Sequence, residues 1–160
     1  MSSSFEFTSE NQERFQEILK RYPTKRAAML PALHMAQAQH GVIPPEAEEY
    51  VAGLLEVPVV DVREVLSFYS LFSQEPKGKH HLKVCGSLSC WLRGSGEVRE
   101  YLLEKLGVDE GEMTEDGRFS WETVPDCLGA CELAPMLQVD DYFEGCLTRE
   151  KIDGIVKERS

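Results

Sequence analysis

The sequence predicts an α+β protein, with an N-terminal four-helix unit over residues 1–76 and a sheet-and-helix domain over residues 77–160. Three observations predict this class. Apolar residues in the first half recur at helical offsets. In the second half, strand-like alternation is interleaved with helical stretches. Between the two lies "SQEPKGKHH" (73–81), where Pro76 and Gly78 break regular structure.

The first predicted helix covers residues 9–22. Phe15, Ile18, Leu19 and Tyr22 fall at offsets 0, 3, 4 and 7 and make one apolar face, while Ser9 and Gln12 have capping-box spacing. Pro23 stops it. A second helix is predicted at about 25–39, with Gly41 just past its end and Pro31 bending it or moving its start inward. The third, about 45–55, opens with a proline and packs through Ala47, Val51, Leu54 and Leu55. The fourth, about 58–69, repeats the offsets of the first with Val62, Val65, Leu66 and Tyr69. Phe68, Tyr69 and Phe72 are expected to dock this unit on the second domain or on a partner.

In the second half, "HHLKVC" (80–85) is a predicted strand. Residues 90–106 follow as a helix with Trp91, Val98, Tyr101, Leu102 and Leu106 available for burial. "GRFSWETVPD" (117–126) gives another strand, with Phe119, Trp121 and Thr123 on one face. "MLQVDDYFEGCL" (136–147) predicts two strands around an Asp140-Asp141 turn. "TREKIDGIVKER" (148–159) is a final helix capped by Thr148 and burying Ile152, Ile155 and Val156. The order β-α-β-β-β-α describes one small sheet with helices packed on it.

Composition limits the function. The chain has 160 residues, 42% of them hydrophobic, and a formal net charge of −11. That charge argues against nucleic-acid phosphates and anionic lipid as main partners. Residues 1–76 carry six Lys/Arg against eleven Asp/Glu, so a helix-turn-helix DNA binder, prompted by "LLEVPVVDVREV" (54–65), has the wrong sign for phosphate. The start lacks a signal-peptide pattern and no window approaches a membrane span. The expectation is a cytoplasmic protein without direct membrane insertion.

The five cysteines, Cys85, Cys90, Cys127, Cys131 and Cys146, all lie in the second half. Four form the pattern Cys85-x4-Cys90, a gap of thirty-six residues, then Cys127-x3-Cys131. Each pair follows a predicted strand in a loop containing glycine, so two loops at one sheet edge can bring four sulfurs together. An odd count fits a closed disulfide framework poorly, and clustered cysteines in a reducing compartment point to a metal or redox centre. Structural zinc favours C-x2-C knuckles, whereas gaps of four and three suit a larger object such as a two-iron cluster. Spacing alone leaves an iron–sulfur cluster, a zinc-stabilised interaction module and a dithiol redox pair open.

"VCGSLSCWLRG" with "DCLGACELAP", preceded by "EVLSFYSLF", resembles the small thioredoxin-like [2Fe-2S] subunit of NADH:quinone oxidoreductase, respiratory complex I, and its counterparts in NAD-linked hydrogenases and formate dehydrogenases. The resemblance runs from about Asn11 to Arg159. It implies that residues 77–160 form a thioredoxin-like α/β domain. It implies one [2Fe-2S] cluster held by Cys85, Cys90, Cys127 and Cys131, with no catalytic residue in this chain. It also implies a heterodimeric partnership, within a larger complex, with a flavin subunit that alone carries FMN and NAD and oxidises NADH; this chain lacks a dinucleotide-binding fingerprint. Four thiolates around two irons leave a negative centre, so a low potential is expected in an acidic protein.

Other residues have plainer readings. Cys146 is expected to be a buried structural thiol. His80 and His81 are expected to be linker residues, and His34 and His40 structural. Trp91 either shields the cluster or fills the core. Pro135 sits where thioredoxin-like folds place a cis-proline. The acidic tract "DEGEMTED" (109–116) is expected to be a solvated loop or a contact for a basic patch.

Overall fold

The computed structural model describes residues 5–159. The chain divides into two compact units between Pro76 and Lys77.

In the first unit, α1 (Ser9–Leu19), α2 (Met29–His40), α3 (Pro45–Leu55) and α4 (Val59–Phe68) surround a core that includes Phe7, Phe15, Leu33, Ile43, Val51, Leu55 and Val62. The cap of α1 is Thr8 rather than Ser9: its hydroxyl accepts from the Asn11 N–H at 3.2 Å, while the Gln12 side chain donates to the Phe7 carbonyl. The helix ends three residues before Tyr22, which leaves the expected apolar face and is exposed. A 3-10 turn at Lys25–Ala28 precedes α2, so Pro31 falls in the first turn, where its missing N–H costs no helical bond. Phe72 is not a docking residue but part of this unit's own core, tilted against His34 at 5.2 Å. Tyr69 is partly packed there, and Phe68 is exposed. Glu48 is buried and accepts from Arg63 Nε at 2.7 Å and Gln74 Nε2 at 3.1 Å.

The second unit is a four-stranded mixed sheet in the order β2-β1-β3-β4. β1 (His80–Cys85) pairs parallel with β2 (Phe119–Val124) and antiparallel with β3 (Leu137–Val139), which pairs antiparallel with β4 (Tyr142–Glu144). The single helix predicted over 90–106 is two. α5 (Leu88–Leu92) stops, Gly94 turns the chain with φ +97°, and α6 (Ser95–Leu106) begins. Leu82, Val84, Phe119, Trp121, Leu137 and Val139 of the sheet pack with Val98 and Leu102 of α6 and with Ile152 and Ile155 of α7 (Arg149–Glu158). Thr148 caps α7, its hydroxyl accepting from the Lys151 N–H.

Two further expectations, for the histidine pair and for Cys146, are corrected by the structure, while the acidic tract is the exposed loop expected. His80 and His81 belong to β1. His80 Nδ1 bonds Asp140 at 2.8 Å, and His81 bridges Ser120 Oγ at 2.8 Å and Glu122 at 2.9 Å. Burial alone would raise the Glu122 carboxyl, but bonds from His81 and from Lys77, 2.9 Å away, outweigh it and hold the group at about 2. The acidic tract is exposed yet tied down: Glu110 accepts from the Thr123 N–H at 2.6 Å and pairs with Arg99 at 3.1 Å. Cys146 is exposed, with φ +49°, and its N–H donates to the Leu133 carbonyl at 2.6 Å. No helix among the described residues is long and apolar enough to cross a membrane.

Candidate metal centre

The two cysteine loops leave the C-terminal ends of adjacent parallel strands. β1 ends on Cys85, and the Gly86 N–H donates to the Val124 carbonyl at the end of β2 at 2.9 Å, so the two exits stay in register. From Cys85 the chain turns through Ser87 into α5, which holds Cys90 within its single short run. From Val124 it runs through Cys127 and Gly129, whose φ of +81° is a conformation glycine adopts without strain, to a 3-10 turn at Cys131–Leu133. A cis Ala134–Pro135 bond then leads into β3.

The four sulfurs fall into an inner and an outer pair. Cys85 and Cys90 are 2% and 1% exposed, packed with Ala130, Ala134 and Met136. Burial, then a hydrogen bond with Cys85, pushes the Cys90 thiol up to about 11. The Cys85 thiol donates to the Asp126 carbonyl at 3.8 Å, which ties the first loop to the second. Cys127 and Cys131 are exposed, with their sulfurs 3.5 Å apart. The Cys127 thiol lies below its usual range because the Gly129 N–H, then Cys131, then Ser87 hydrogen-bond to it. Cys131 acts electrostatically on Cys90. All four candidate cysteines are therefore brought to one end of the sheet, whereas Cys146, beyond β4, has no described bond to them.

This donor set suits a two-metal cluster. A tetrahedral metal holding sulfur at about 2.3 Å separates neighbouring sulfurs by about 3.8 Å, close to the spacing of the outer pair. Among the described residues, no three His, Cys, Asp or Glu side chains gather as one ion would require. Trp91 neither fills the core nor is covered. It is 58% exposed and lines a surface cavity of about 390 Å³ with Arg99, Leu103 and Trp121.

The family model for the thioredoxin-like [2Fe-2S] ferredoxin matches residues 15–160. The chain belongs to this family. Among its ferredoxin-family relatives, an NADH-quinone oxidoreductase subunit from Rickettsia bellii is 44% identical over 158 residues, covering 96% of this chain and 93% of that one. NADH-quinone oxidoreductase subunit 2 of Thermus thermophilus is 42% identical over 154 residues, covering 94% and 84%. A solved NAD+-reducing [NiFe]-hydrogenase shares the fold, with a TM-score of 0.66 at 20% identity. The match covers 82% of this chain and 22% of that one. The family carries the thioredoxin-like fold and the iron–sulfur cofactor that the sequence implies.

Gly129, the loop glycine singled out for close backbone approach, takes that part, whereas Ser87 and Met136 escaped the sequence reading. Ser87 and the Gly129 backbone hydrogen-bond the Cys127 sulfur, and the Met136 backbone bonds Cys90. A serine in a Gly-Ser run and the backbone of Met136 carry no spacing signal. Only the convergence of the loops gives them a role.

Proposed function

We propose that the chain is the electron-transfer subunit of the NADH-oxidising module of an NADH:quinone oxidoreductase, with one [2Fe-2S] cluster on Cys85, Cys90, Cys127 and Cys131. The observation that carries this reading is the convergence of an inner and an outer cysteine pair at one sheet end, in a chain of the ferredoxin family. Residues 1–76 form its helical domain and 77–160 its cluster domain. When bound, the cluster supplies one-electron oxidation and reduction. Cys85 and Cys90 hold their side of the site out of water. Ser87 and the Gly129 N–H donate toward the Cys127 sulfur, and the Met136 backbone bonds Cys90, which offsets negative charge at the sulfurs. Cys127 and Cys131 face outward, where a redox partner can approach.

The partner is a flavin subunit carrying FMN and the NAD site, in a heterodimer within the larger complex at the cytoplasmic face of the membrane. Exposed Leu88, Trp91 and Leu92 on α5, beside Cys90, support contact with another protein. The chain acts as an oxidoreductase subunit and is not catalytic alone. The shared fold with the NAD+-reducing hydrogenase supports an equivalent hydrogenase subunit as second reading. Purified protein should be red-brown, with iron and acid-labile sulfide in equal amounts. Cys→Ser at each of the four positions should abolish or alter the EPR signal seen after dithionite reduction, and Cys146→Ser should not. An unchanged signal in Cys127→Ser refutes the ligand set. Co-purification with a flavin-free partner refutes the partnership.

A further inference from the structure

We infer that Cys127 and Cys131 form a reversible disulfide in the cluster-free chain, which makes the outer half of the site a redox lock on cluster loading. The lock's effect on loading rests on the ligand reading above; the disulfide itself does not.

Geometry selects this pair. Their sulfurs stand 3.5 Å apart, and a bond of about 2.05 Å needs them to close by about 1.5 Å. The segment between them, Leu128-Gly129-Ala130, contains the positive-φ Gly129, and a Cβ at that glycine would meet no neighbour within 4 Å. Both thiols are exposed, so a dissolved oxidant reaches them, whereas Cys85 and Cys90 are covered by Ala130, Ala134 and Met136. Two thiols held this close react as an intramolecular pair, with an effective concentration far above that of any free thiol in solution.

The oxidant is a low-molecular-weight disulfide. One cysteine of the pair, as thiolate, attacks a sulfur of that disulfide; a mixed disulfide forms and one small thiol leaves. The other cysteine then attacks the first, forms the Cys127–Cys131 bond and expels the second small thiol. Two protein thiols are oxidised and one small disulfide becomes two thiols, so protons and electrons balance. With both outer sulfurs bonded to each other, neither is a thiolate donor. Loading then waits for a dithiol reductant.

The test uses the whole cluster-free chain incubated with oxidised glutathione. After alkylation of remaining thiols, cleavage following Glu122 and Glu132 releases residues 123–132, which contain Cys127 and Cys131 and no other cysteine. The expected result is that this peptide, unalkylated, has lost two hydrogen atoms, while Cys85 and Cys90 stay alkylatable once the chain is unfolded. Cys131→Ser should instead stop at a glutathione adduct on Cys127. Iron and sulfide uptake should be lost in the oxidised chain and return after dithiothreitol. Stable adducts on both cysteines of the native chain, or a bond to Cys146 or to the inner pair, would overturn the disulfide. Equal uptake by oxidised and reduced chain would overturn the lock. A reduced chain that takes up no iron would strike the ligand reading and leave the mass result standing.

Discussion

Gly145→Ala probes the packing that holds Cys131 in place. A Cβ at Gly145 would lie 2.2 Å from Leu133 Cβ and 2.7 Å from the Leu133 carbonyl oxygen, where ordinary contact begins at 3.4 Å. Neither atom is the free end of a side chain, so the 3-10 turn Cys131–Leu133 and the segment after β4 must part by more than about 1 Å. Overpacking of this kind costs about 1–3 kcal/mol, and loss of the bond from the Cys146 N–H to the Leu133 carbonyl adds about 1 kcal/mol. A cost near 3 kcal/mol lowers the melting temperature of a domain this size by roughly 12–24 °C. Both tryptophans, Trp91 and Trp121, lie in the second unit, so their fluorescence in the cluster-free chain reports that unit alone. Gly154→Ala is the control. It sits inside α7 with no atom within 4 Å of an added Cβ, and alanine there should stabilise by about 0.5–1 kcal/mol. If Gly145→Ala melts within about 2 °C of the parent chain, the close approach does not position Cys131.

Glu122→Gln should destabilise the second unit at neutral pH. The drop of the Glu122 carboxyl from its ordinary 4.5 to about 2 corresponds to a gross ~3 kcal/mol, which partial exposure and screening reduce to about 1–2 kcal/mol. Because the folded value is depressed, this stability is present above pH ~4.5 and lost as pH falls toward 2; urea titrations read by tryptophan fluorescence should show parent and variant converging across that window. In the first unit, Arg63→Ala leaves the buried Glu48 carboxylate without its cation and should cost about 2 kcal/mol by circular dichroism, with part recovered in Glu48→Gln/Arg63→Ala.

Local periodicity made the element types legible. The Leu82/Val84 alternation, Pro45 opening α3 and Thr148 capping α7 are events within one turn or one strand, and the sequence carries them directly. Features set by tertiary contact were not legible. The break at Gly94 was missed because the apolar spacing of Val98 and Leu102 continues smoothly from that of α5. His80 and His81 looked like linker residues because their partners, Asp140, Ser120 and Glu122, lie about 40 to 60 residues away. Cys146 looked buried because a cysteine without a partner at ligand spacing is most often a core residue, whereas the chain there turns to positive φ against Leu133. At the site, the cysteine spacings were visible but the difference in burial between the pairs was not, since it depends on where Ala130, Ala134 and Met136 pack.

On the proposed ligand set, that difference is what would make the site usable. If all four thiolates were as deep as Cys85 and Cys90, their mutual repulsion would go unscreened by water. If all four were as open as Cys127 and Cys131, water would reach every sulfur and nothing apolar would fix the loops. One pair packed among small apolar side chains anchors the geometry. The other, at the surface and supported by the Gly129 N–H and Ser87, tolerates charge and remains within a partner's reach. The accessibility that suits the outer pair to electron exchange also leaves it open to oxidation when no metal holds the sulfurs apart. A substitution that buried Cys127 and Cys131 should therefore suppress disulfide formation and slow electron transfer together, and a variant that changed one without the other would show that the two do not share this cause.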